Sequence, residues 1–170
     1  ETLLGIDVRP KDGLVYAVSS TGKVYTIDPA SGAAVAKAPL AADAADTTMP
    51  YTAIAGTAFA VDFNPVADRI RVISNTGQSL RINADTGATT TDGAINAAGL
   101  TPLVTAGAYT NSFAGTTATM LLNIETGGDT LSLQNPPNDG TLTVVGALGV
   151  NVAGDAGFDI AGGANGLALA

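Results

Sequence analysis

The chain has 170 residues, of which 46% are hydrophobic and 13% are charged, so it can form one domain with a sizeable core and is not expected to be disordered. Seven basic and fifteen acidic residues give a net charge of −8, which repels phosphate backbones and excludes nucleic acid as an expected partner. The chain has no cysteine and no histidine, which removes disulfides, thiolate metal sites, the usual zinc ligands and the commonest general base.

The N-terminal residues and the hydropathy pattern indicate where in or outside the cell the protein is expected. Residues 1–5 have no basic residue ahead of a long apolar run, and no stretch approaches the roughly 20 apolar residues that cross a bilayer. We therefore predict that the chain is not an integral membrane protein and would meet a membrane only through a partner. Low charge and abundant Thr, Asn, Gly and Ala favour an exported protein, periplasmic or extracellular.

The first predicted strands contain a repeat. Gly5-Ile6-Asp7-Val8-Arg9-Pro10 recurs as Ala60-Val61-Asp62-Phe63-Asn64-Pro65, a shift of 55 residues from Asp7 to Asp62. Later positions align at the same shift: Val15, Val18, Ser19, Thr21, Gly22, Ile27 and Gly32 fall on Ile70, Ile73, Ser74, Thr76, Gly77, Ile82 and Gly87. Turn residues and apolar positions are both kept, which predicts two copies of one structural unit.

The second copy predicts four short strands, at residues 58–64, 69–74, 79–83 and 88–91. In both copies the pattern Asp/Asn-x-x-Ser/Thr-Gly predicts a tight turn before the last strand. Its Asx side chain can accept a backbone N–H two residues on, and its Gly can adopt a positive φ. Residues 33–45 are Ala-rich but contain Pro39, so a strand and a loop are expected there rather than a helix.

Two further copies are weaker. Leu122-Asn123-Ile124-Glu125-Thr126-Gly127 repeats the turn pattern of residues 27–32, and Gly157-Phe158-Asp159-Ile160 repeats that of residues 5–8. We expect one domain over residues 1–170. Its repeats would lie at about 1–55, 56–104 and 105–150, with a partial repeat at 151–170.

Short strands, frequent turns and a repeat of about 40 to 55 residues favour the four-stranded blades of a β-propeller. The predicted fold is all-β and propeller-like, with about three antiparallel blades and part of a fourth. Because closed propellers have about 4 to 8 blades, the ring is expected to be incomplete. Residues beyond Ala170, an open stack of sheets or a neighbouring chain would each account for this, and we favour an incomplete chain.

Several strings resemble one known family. They are Phe63-Asn64-Pro65, Asp68-Arg69-Ile70-Arg71-Val72, Gln134-Asn135-Pro136-Pro137-Asn138-Asp139-Gly140-Thr141-Leu142 and Gly157-Phe158-Asp159-Ile160. Nearly the whole chain resembles the bacterial domain-of-unknown-function family 4394. The resemblance implies an exported bacterial protein and brings no assigned activity or catalytic residue. Residues 41–55 depart from the family's tighter connection, which predicts a local loop on one face.

Three aspartates recur at one repeat position, on the strand expected to be innermost. Asp7, Asp62 and Asp159 would ring a central channel and could bind a cation such as calcium. In the third repeat, Ala108 or Tyr109 stands near that position, which breaks the ring. A repeated Asp more often accepts neighbouring backbone N–H groups, so we favour a structural role and predict no cofactor beyond this calcium option.

Two arginines and one loop are further candidates. Arg69 and Arg71 share one face of a predicted strand, where they could bind an acidic protein partner or pair locally with Asp62, Asp68 or Asp85. Residues 134–140 combine amides, a carboxylate and two prolines. That composition suits a rigid ligand-binding loop or a plain connection between strands, and we favour the connection.

The chain lacks the residues of common hydrolases. Without histidine, a serine nucleophile would need a lysine or a carboxylate as its base, and no Gly-x-Ser-x-Gly elbow is present. The predicted function is a non-catalytic binding or scaffolding module, an accessory subunit with a protein partner in a periplasmic or extracellular complex. Two alternatives stay open, a calcium-dependent propeller hydrolase and a structural surface or matrix protein.

Overall fold

A computed structural model describes residues 1–98, 100 and 102–170. These residues form an all-β structure, as predicted, with fifteen short strands and a single 3-10 turn at Pro137–Asp139. Within the described residues, no helix is long and apolar enough to cross a membrane.

The first sheet is an antiparallel meander of four strands in chain order. Its strands are β1 (Leu3–Val8), β2 (Val15–Ser19), β3 (Lys23–Ile27) and β4 (Ala34–Pro39). The strand expected within residues 33–45 is therefore confirmed as β4.

The second sheet has five strands. Four of them form a second meander, β6 (Phe59–Asn64), β7 (Arg69–Ser74), β8 (Ser79–Ile82) and β9 (Ala88–Thr91). The fifth, β5 (Ala41–Ala42), lies in the connection after β4 and pairs in parallel with β9. The four strands predicted from the second repeat copy are confirmed, and two of their ends differ by one residue each.

The third sheet is a further antiparallel meander of four strands, followed by a short hairpin. The sheet consists of β10 (Val104–Tyr109), β11 (Leu121–Glu125), β12 (Thr130–Gln134) and β13 (Leu142–Ala147), and the hairpin of β14 (Asp159–Ile160) and β15 (Ala168–Leu169). The hairpin begins at the segment that repeats the sequence of β1.

The predicted Asx–Gly turns form in the first two sheets. The side chains of Asp28 and Asn83 each accept a hydrogen bond from the backbone N–H group two residues later. The donors are Ala30, at 2.8 Å, and Asp85, at 3.0 Å. Gly32 and Gly87 close the turns with φ of 73° and 76°.

The same turn prediction is wrong in the third sheet. Asn123 lies buried inside β11, and the chain turns at residues 126–129 instead. This turn joins the second and third strands of its sheet, whereas the turns at Gly32 and Gly87 join the third and fourth. A short turn pattern specifies local backbone shape, and it does not specify which hairpin of the sheet will use it.

Two apolar layers hold the three sheets together. Between the first and second sheets, Tyr16 of β2 packs on Phe63 of β6 with ring centroids 5.4 Å apart in an edge-to-face arrangement. Between the second and third sheets, Ile73 of β7 belongs to a buried cluster with Val104 and Leu121. The second sheet is therefore covered on both faces.

The first strands of successive sheets lie side by side. β1 packs on β6, β6 packs on β10, and β10 contacts β14. Glycines allow the close approach, since a Cβ at Gly5 would lie 2.7 Å from Val61 and one at Gly107 would lie 3.3 Å from Ala60. This arrangement brings side chains of separate repeats to one place.

Candidate functional site

The three repeated aspartates lie together, and we call them the aspartate cluster. Asp7 is on β1, Asp62 on β6 and Asp159 on β14, and one carboxylate oxygen from each lies within 4.8 Å of the other two. Asp62 is buried, Asp7 is half-buried and Asp159 is exposed. The structure thus brings together all three residues that the sequence singled out.

Two of these carboxylates accept hydrogen bonds from backbone N–H groups. Asp7 accepts one from Phe63 at 2.7 Å and, through its other oxygen, one from Val8 at 2.6 Å. Asp62 accepts one from Tyr109 at 3.2 Å. Asp7 therefore joins β1 to β6, and Asp62 joins β6 to β10 in the same manner.

Burial and mutual repulsion raise the pKa values of the Asp7 and Asp62 carboxyls. Burial raises the pKa of Asp7 to about 6. The two backbone hydrogen bonds that Asp7 accepts lower this pKa, and the nearby charge of Asp159 raises it. Burial also raises the pKa of Asp62 well above its usual range, and the charge of Asp7 adds to this effect. Close to neutral pH, these carboxyls therefore hold protons more strongly than ordinary aspartates.

The cluster fits a calcium ion in charge but not in ligand number. Calcium takes about 6 to 8 oxygen ligands. Both oxygens of Asp7 and one of Asp62 already accept backbone N–H groups, which leaves three of the six carboxylate oxygens without such a bond. A cation here would need further ligands such as water, so the geometry favours the structural role.

A buried arginine links the first and second sheets at the end of β1. Arg9 is 3% exposed and donates to both oxygens of Asp68 at 2.7 Å and to both oxygens of Asp85 at 2.9 Å. It also donates to the Tyr16 hydroxyl at 3.1 Å. The Arg9 hydrogen bonds lower the pKa of both Asp68 and Asp85, so these pairs are charged at neutral pH.

A second buried arginine links the second and third sheets, and it corrects a prediction. Arg71 is 2% exposed, and its guanidinium donates to four partners. They are the Tyr109 hydroxyl at 3.2 Å, Ser79 Oγ at 3.0 Å, Asn138 Oδ1 at 2.8 Å and the Asp92 carboxylate. A partner-binding role for Arg71 is therefore wrong, because the third sheet covers the face on which it lies.

Arg69 lies at the rim of the same face. It is half-buried, and its guanidinium donates to the carbonyl oxygens of Ala67 at 3.3 Å and Asp68 at 2.9 Å. The two arginines do not form a joint surface for an acidic partner. The ion-pair partner of Arg71 is Asp92, rather than Asp62, Asp68 or Asp85.

A profile of the family described as "Domain of unknown function (DUF4394)" matches residues 1–170 of the chain. The chain belongs to the DUF4394 family. Its predicted membership is thereby confirmed. Neither a curated protein nor a solved structure shows significant similarity to this DUF4394 chain.

The segment of the DUF4394 chain at residues 134–140 connects β12 to β13. Buried Gln134 donates to the Pro137 carbonyl at 2.6 Å and accepts from Asn123 at 2.8 Å. Asn138 accepts from Arg71, so this connection also holds the second sheet against the third. The segment is a connection, as favoured from its sequence, and it carries an inter-sheet contact that the sequence did not predict.

A cleft of about 480 Å³ opens where β1 and β6 begin. Apolar walls come from Leu3 and Phe59, and polar groups come from Ser20, Thr57 and Asp155. Ile54, from the predicted loop at residues 41–55, also lines it. The cleft is a surface feature of this DUF4394 protein that sequence reasoning missed, because its walls come from four separate segments without a shared motif.

Proposed function

We propose that this protein is a non-catalytic binding or scaffolding module, an accessory subunit of an exported bacterial protein complex. The observation that supports the proposal is that the polar side chains between the sheets are engaged in hydrogen bonds from one sheet to the next. Arg9, Arg71, Asp7 and Asp62 all bond across sheet interfaces. Side chains that serve as inter-sheet bonds give a rigid platform and are not free for chemistry.

We propose further that the sheets are blades of a β-propeller-like stack. Each of the three large sheets has a four-stranded antiparallel meander, and the first strand of each packs beside the first strand of the next. The hairpin β14–β15 would begin a fourth blade, since Asp159 joins the cluster formed by Asp7 and Asp62.

The cleft at the start of β1 and β6 is the best candidate for the contact surface. It combines a few polar groups with apolar walls, and its walls come from different repeats. Asp155 is exposed there, and it follows the third sheet in the chain, outside the repeated strands. Loops on a rigid framework are where proteins commonly place binding residues.

A comparison of two matched variants in cell-envelope extract tests the proposal. Asp155→Arg places a long cation in the cleft, and Asp139→Arg makes the same charge change at an exposed residue elsewhere. Tagged wild type and Asp139→Arg are expected to recover one defined protein in stoichiometric amount, and Asp155→Arg is expected to lose it. Equal recovery by all three proteins would rule out the cleft as the contact surface, and recovery of no stoichiometric partner would refute the subunit role.

The second candidate function, a calcium-dependent hydrolase, draws on the aspartate cluster. Three carboxylates within 4.8 Å of one another can hold a hard cation that activates water. Hydrolysis of a lactone or phosphate ester that needs calcium and disappears in Asp62→Asn would support this candidate. The N–H bonds already made by Asp7 and Asp62 favour the scaffolding function.

A further inference from the structure

The three large sheets differ in how their outer edges are protected from pairing with a further strand. In the first sheet, the outer strand β4 carries Lys37 and ends at Pro39, and both residue types discourage such pairing. In the second sheet, β9 is covered by β5. The third sheet ends in β13, whose sequence LTVVGA contains neither a charged residue nor a proline. This strand therefore lacks the protective residues of β4.

In the second sheet, the connection that follows β4 covers the outer side of β9. The backbone N–H of Ala41 donates to the Gly87 carbonyl at 3.0 Å. Two residues later, the N–H of Asp43 donates to the Thr89 carbonyl at 2.9 Å. At the end of β9, the Thr91 N–H donates to a carboxylate of the same connection at 2.9 Å. Backbone groups of β9 are therefore engaged from its start to its end.

In the third sheet, the corresponding connection covers only the start of β13. Asn96 forms one parallel bridge, in which it donates to the Gly140 carbonyl at 2.9 Å and accepts from the Leu142 N–H at 2.8 Å. Since alternate residues of a strand direct their backbone groups to the same side, Val144 faces outward as Leu142 does. Among the described residues, no strand continues the pairing beside Val144. We call the outer side of residues 143–147 the open edge.

An apolar pocket of about 530 Å³ adjoins the open edge. Leu142 and Val144 of β13 line one side, and Leu100 and Leu103 of the connection before β10 line another. The register with β12 places Leu142 and Val144 on the same face of the sheet. A strand added beside β13 would direct alternate side chains to that face, next to the pocket. Unpaired backbone groups beside a pocket for side chains are the two parts of a site that binds by strand addition.

A bulge in β13 shows the same contrast with β4. Each strand has one extra residue relative to its neighbour in the sheet, Lys37 in β4 and Val145 in β13. A lysine at such a position discourages pairing, whereas a valine does not. Val145 is 61% exposed and Val144 is 60% exposed. Because a bulge bends its strand, the segment that pairs with the open edge should be short.

We infer that the open edge binds a short extended segment of a partner protein, with apolar residues at its centre and basic residues on its flanks. An unpaired row of backbone N–H and C=O groups is complementary to another extended strand, and the pocket is complementary to an apolar side chain. This inference goes beyond the proposed contact at the start of β1 and β6, because the pocket and that cleft share no lining residue.

The distribution of charge selects the flanks of the bound segment. Residues 93–170 contain no lysine or arginine, and their five acidic residues are Glu125, Asp129, Asp139, Asp155 and Asp159. Basic flanks complement this part of the chain. A second copy of the third sheet would instead bring like charges together, which disfavours pairing of two open edges.

Fluorescence anisotropy with a labelled peptide, Lys-Lys-Thr-Val-Leu-Val-Thr-Lys-Lys, tests this inference. The dissociation constant is expected on the order of 10–100 µM, and the same peptide with Glu in place of Lys should bind about tenfold more weakly or less. Val145→Lys gives β13 the lysine that β4 carries at its bulge and should weaken binding about tenfold or more. The matched control, Val35→Lys, adds the same charge on β4 at a residue of 62% exposure, and its affinity should stay within about twofold of the wild type.

Amide hydrogen exchange distinguishes strand addition from binding in the pocket alone. Bound peptide should slow exchange at Val144, whose N–H becomes a hydrogen-bond donor to the added strand. A second, uncharged pair of variants tests the pocket: Leu103→Ser should weaken binding, and Leu14→Ser, at a residue of similar exposure, should not. Far-UV circular dichroism of all four variants confirms folding.

Three results would overturn the inference: no binding at about 500 µM protein, equal affinity for the Lys and Glu peptides, or equal affinity in Val145→Lys and Val35→Lys. Unchanged exchange at Val144 in the peptide complex would also overturn it. Slower exchange at Val144 when the protein alone is concentrated would identify a second copy as the occupant, against the inference.

Discussion

Asp62 on β6 accepts a hydrogen bond from the backbone N–H of Tyr109 on β10, at 3.2 Å, across the interface of the second and third sheets. The same carboxyl is buried beside Asp7, and its pKa is raised well above the usual range. The hydrogen bond from Tyr109 stabilises the folded state, whereas a negative charge on this buried carboxyl destabilises it. The two effects can be separated by pH.

Asp62→Asn should stabilise the protein at pH 8 by about 1–3 kcal/mol and have little effect at pH 4. The amide oxygen can still accept from Tyr109, and the charge is gone. In the wild type, stability from the protonated carboxyl is fully present below the unfolded pKa of about 4 and is lost as pH rises through the raised folded pKa. Urea unfolding at both pH values measures the difference, with exposed Asp139→Asn as control. A variant less stable than wild type at pH 8 would contradict the prediction.

Asp68→Asn should show the opposite pH dependence. The pKa of Asp68 is lowered, first by its hydrogen bonds with Arg9, so its stabilisation is present above the unfolded pKa and is lost as pH falls through the folded pKa. Asn tolerates the positive φ of 53° at this position, so the substitution removes mainly the charge. We expect a loss of about 1 kcal/mol at pH 7 that shrinks toward pH 3. A loss that stays constant with pH in urea titrations would contradict this account.

Arg71→Leu should destabilise the protein by about 2–4 kcal/mol, because it removes the donor that Asn138 and the Tyr109 hydroxyl share, while Asp92 keeps its ion pair with Arg81. Arg69→Leu, at the rim of the same strand face, should cost less than about 1 kcal/mol. Chemical denaturation of both variants measures the contrast. Similar losses in the two variants would show that burial of Arg71 does not set its contribution.

The repeat explains why the strands of the second sheet and the aspartate cluster could be predicted from the sequence, whereas the contacts of Arg71 could not. Matching residues at a shift of 55 locate β6 to β9 and also bring Asp7 and Asp62 to equivalent positions. Alternation places Arg69 and Arg71 on one face, but it cannot say which sheet will cover that face. The partners of Arg71, namely Asp92 and Asn138, lie 21 and 67 residues away along the chain, outside any local pattern.

Calcium should have little effect on stability. With about 1 mM calcium at pH 8, the melting temperature should move by less than about 1 °C, because the free oxygens of the aspartate cluster are too few for its usual coordination. Asp7→Asn should respond as the wild type does. A rise of several degrees in the wild type that is absent in Asp7→Asn would support the hydrolase candidate instead.

Gly87 and Gly32 close equivalent turns in the second and first sheets, and they offer a matched test of how the sheets pack. Both have a positive φ, so Ala at either position carries a similar backbone cost of about 1 kcal/mol. A Cβ at Gly87 would lie 2.0 Å from the Pro39 carbonyl oxygen, whereas one at Gly32 meets no described atom within 4 Å.

Gly87→Ala should therefore destabilise the protein by about 2–4 kcal/mol, and Gly32→Ala by about 1 kcal/mol. The difference measures contact between the end of β4 and the β8–β9 turn, which also positions β5 beside β9. Urea unfolding of both variants gives the two values. Equal losses would mean that the connection after β4 moves aside at no cost, and that the first sheet is not held against the second at this point.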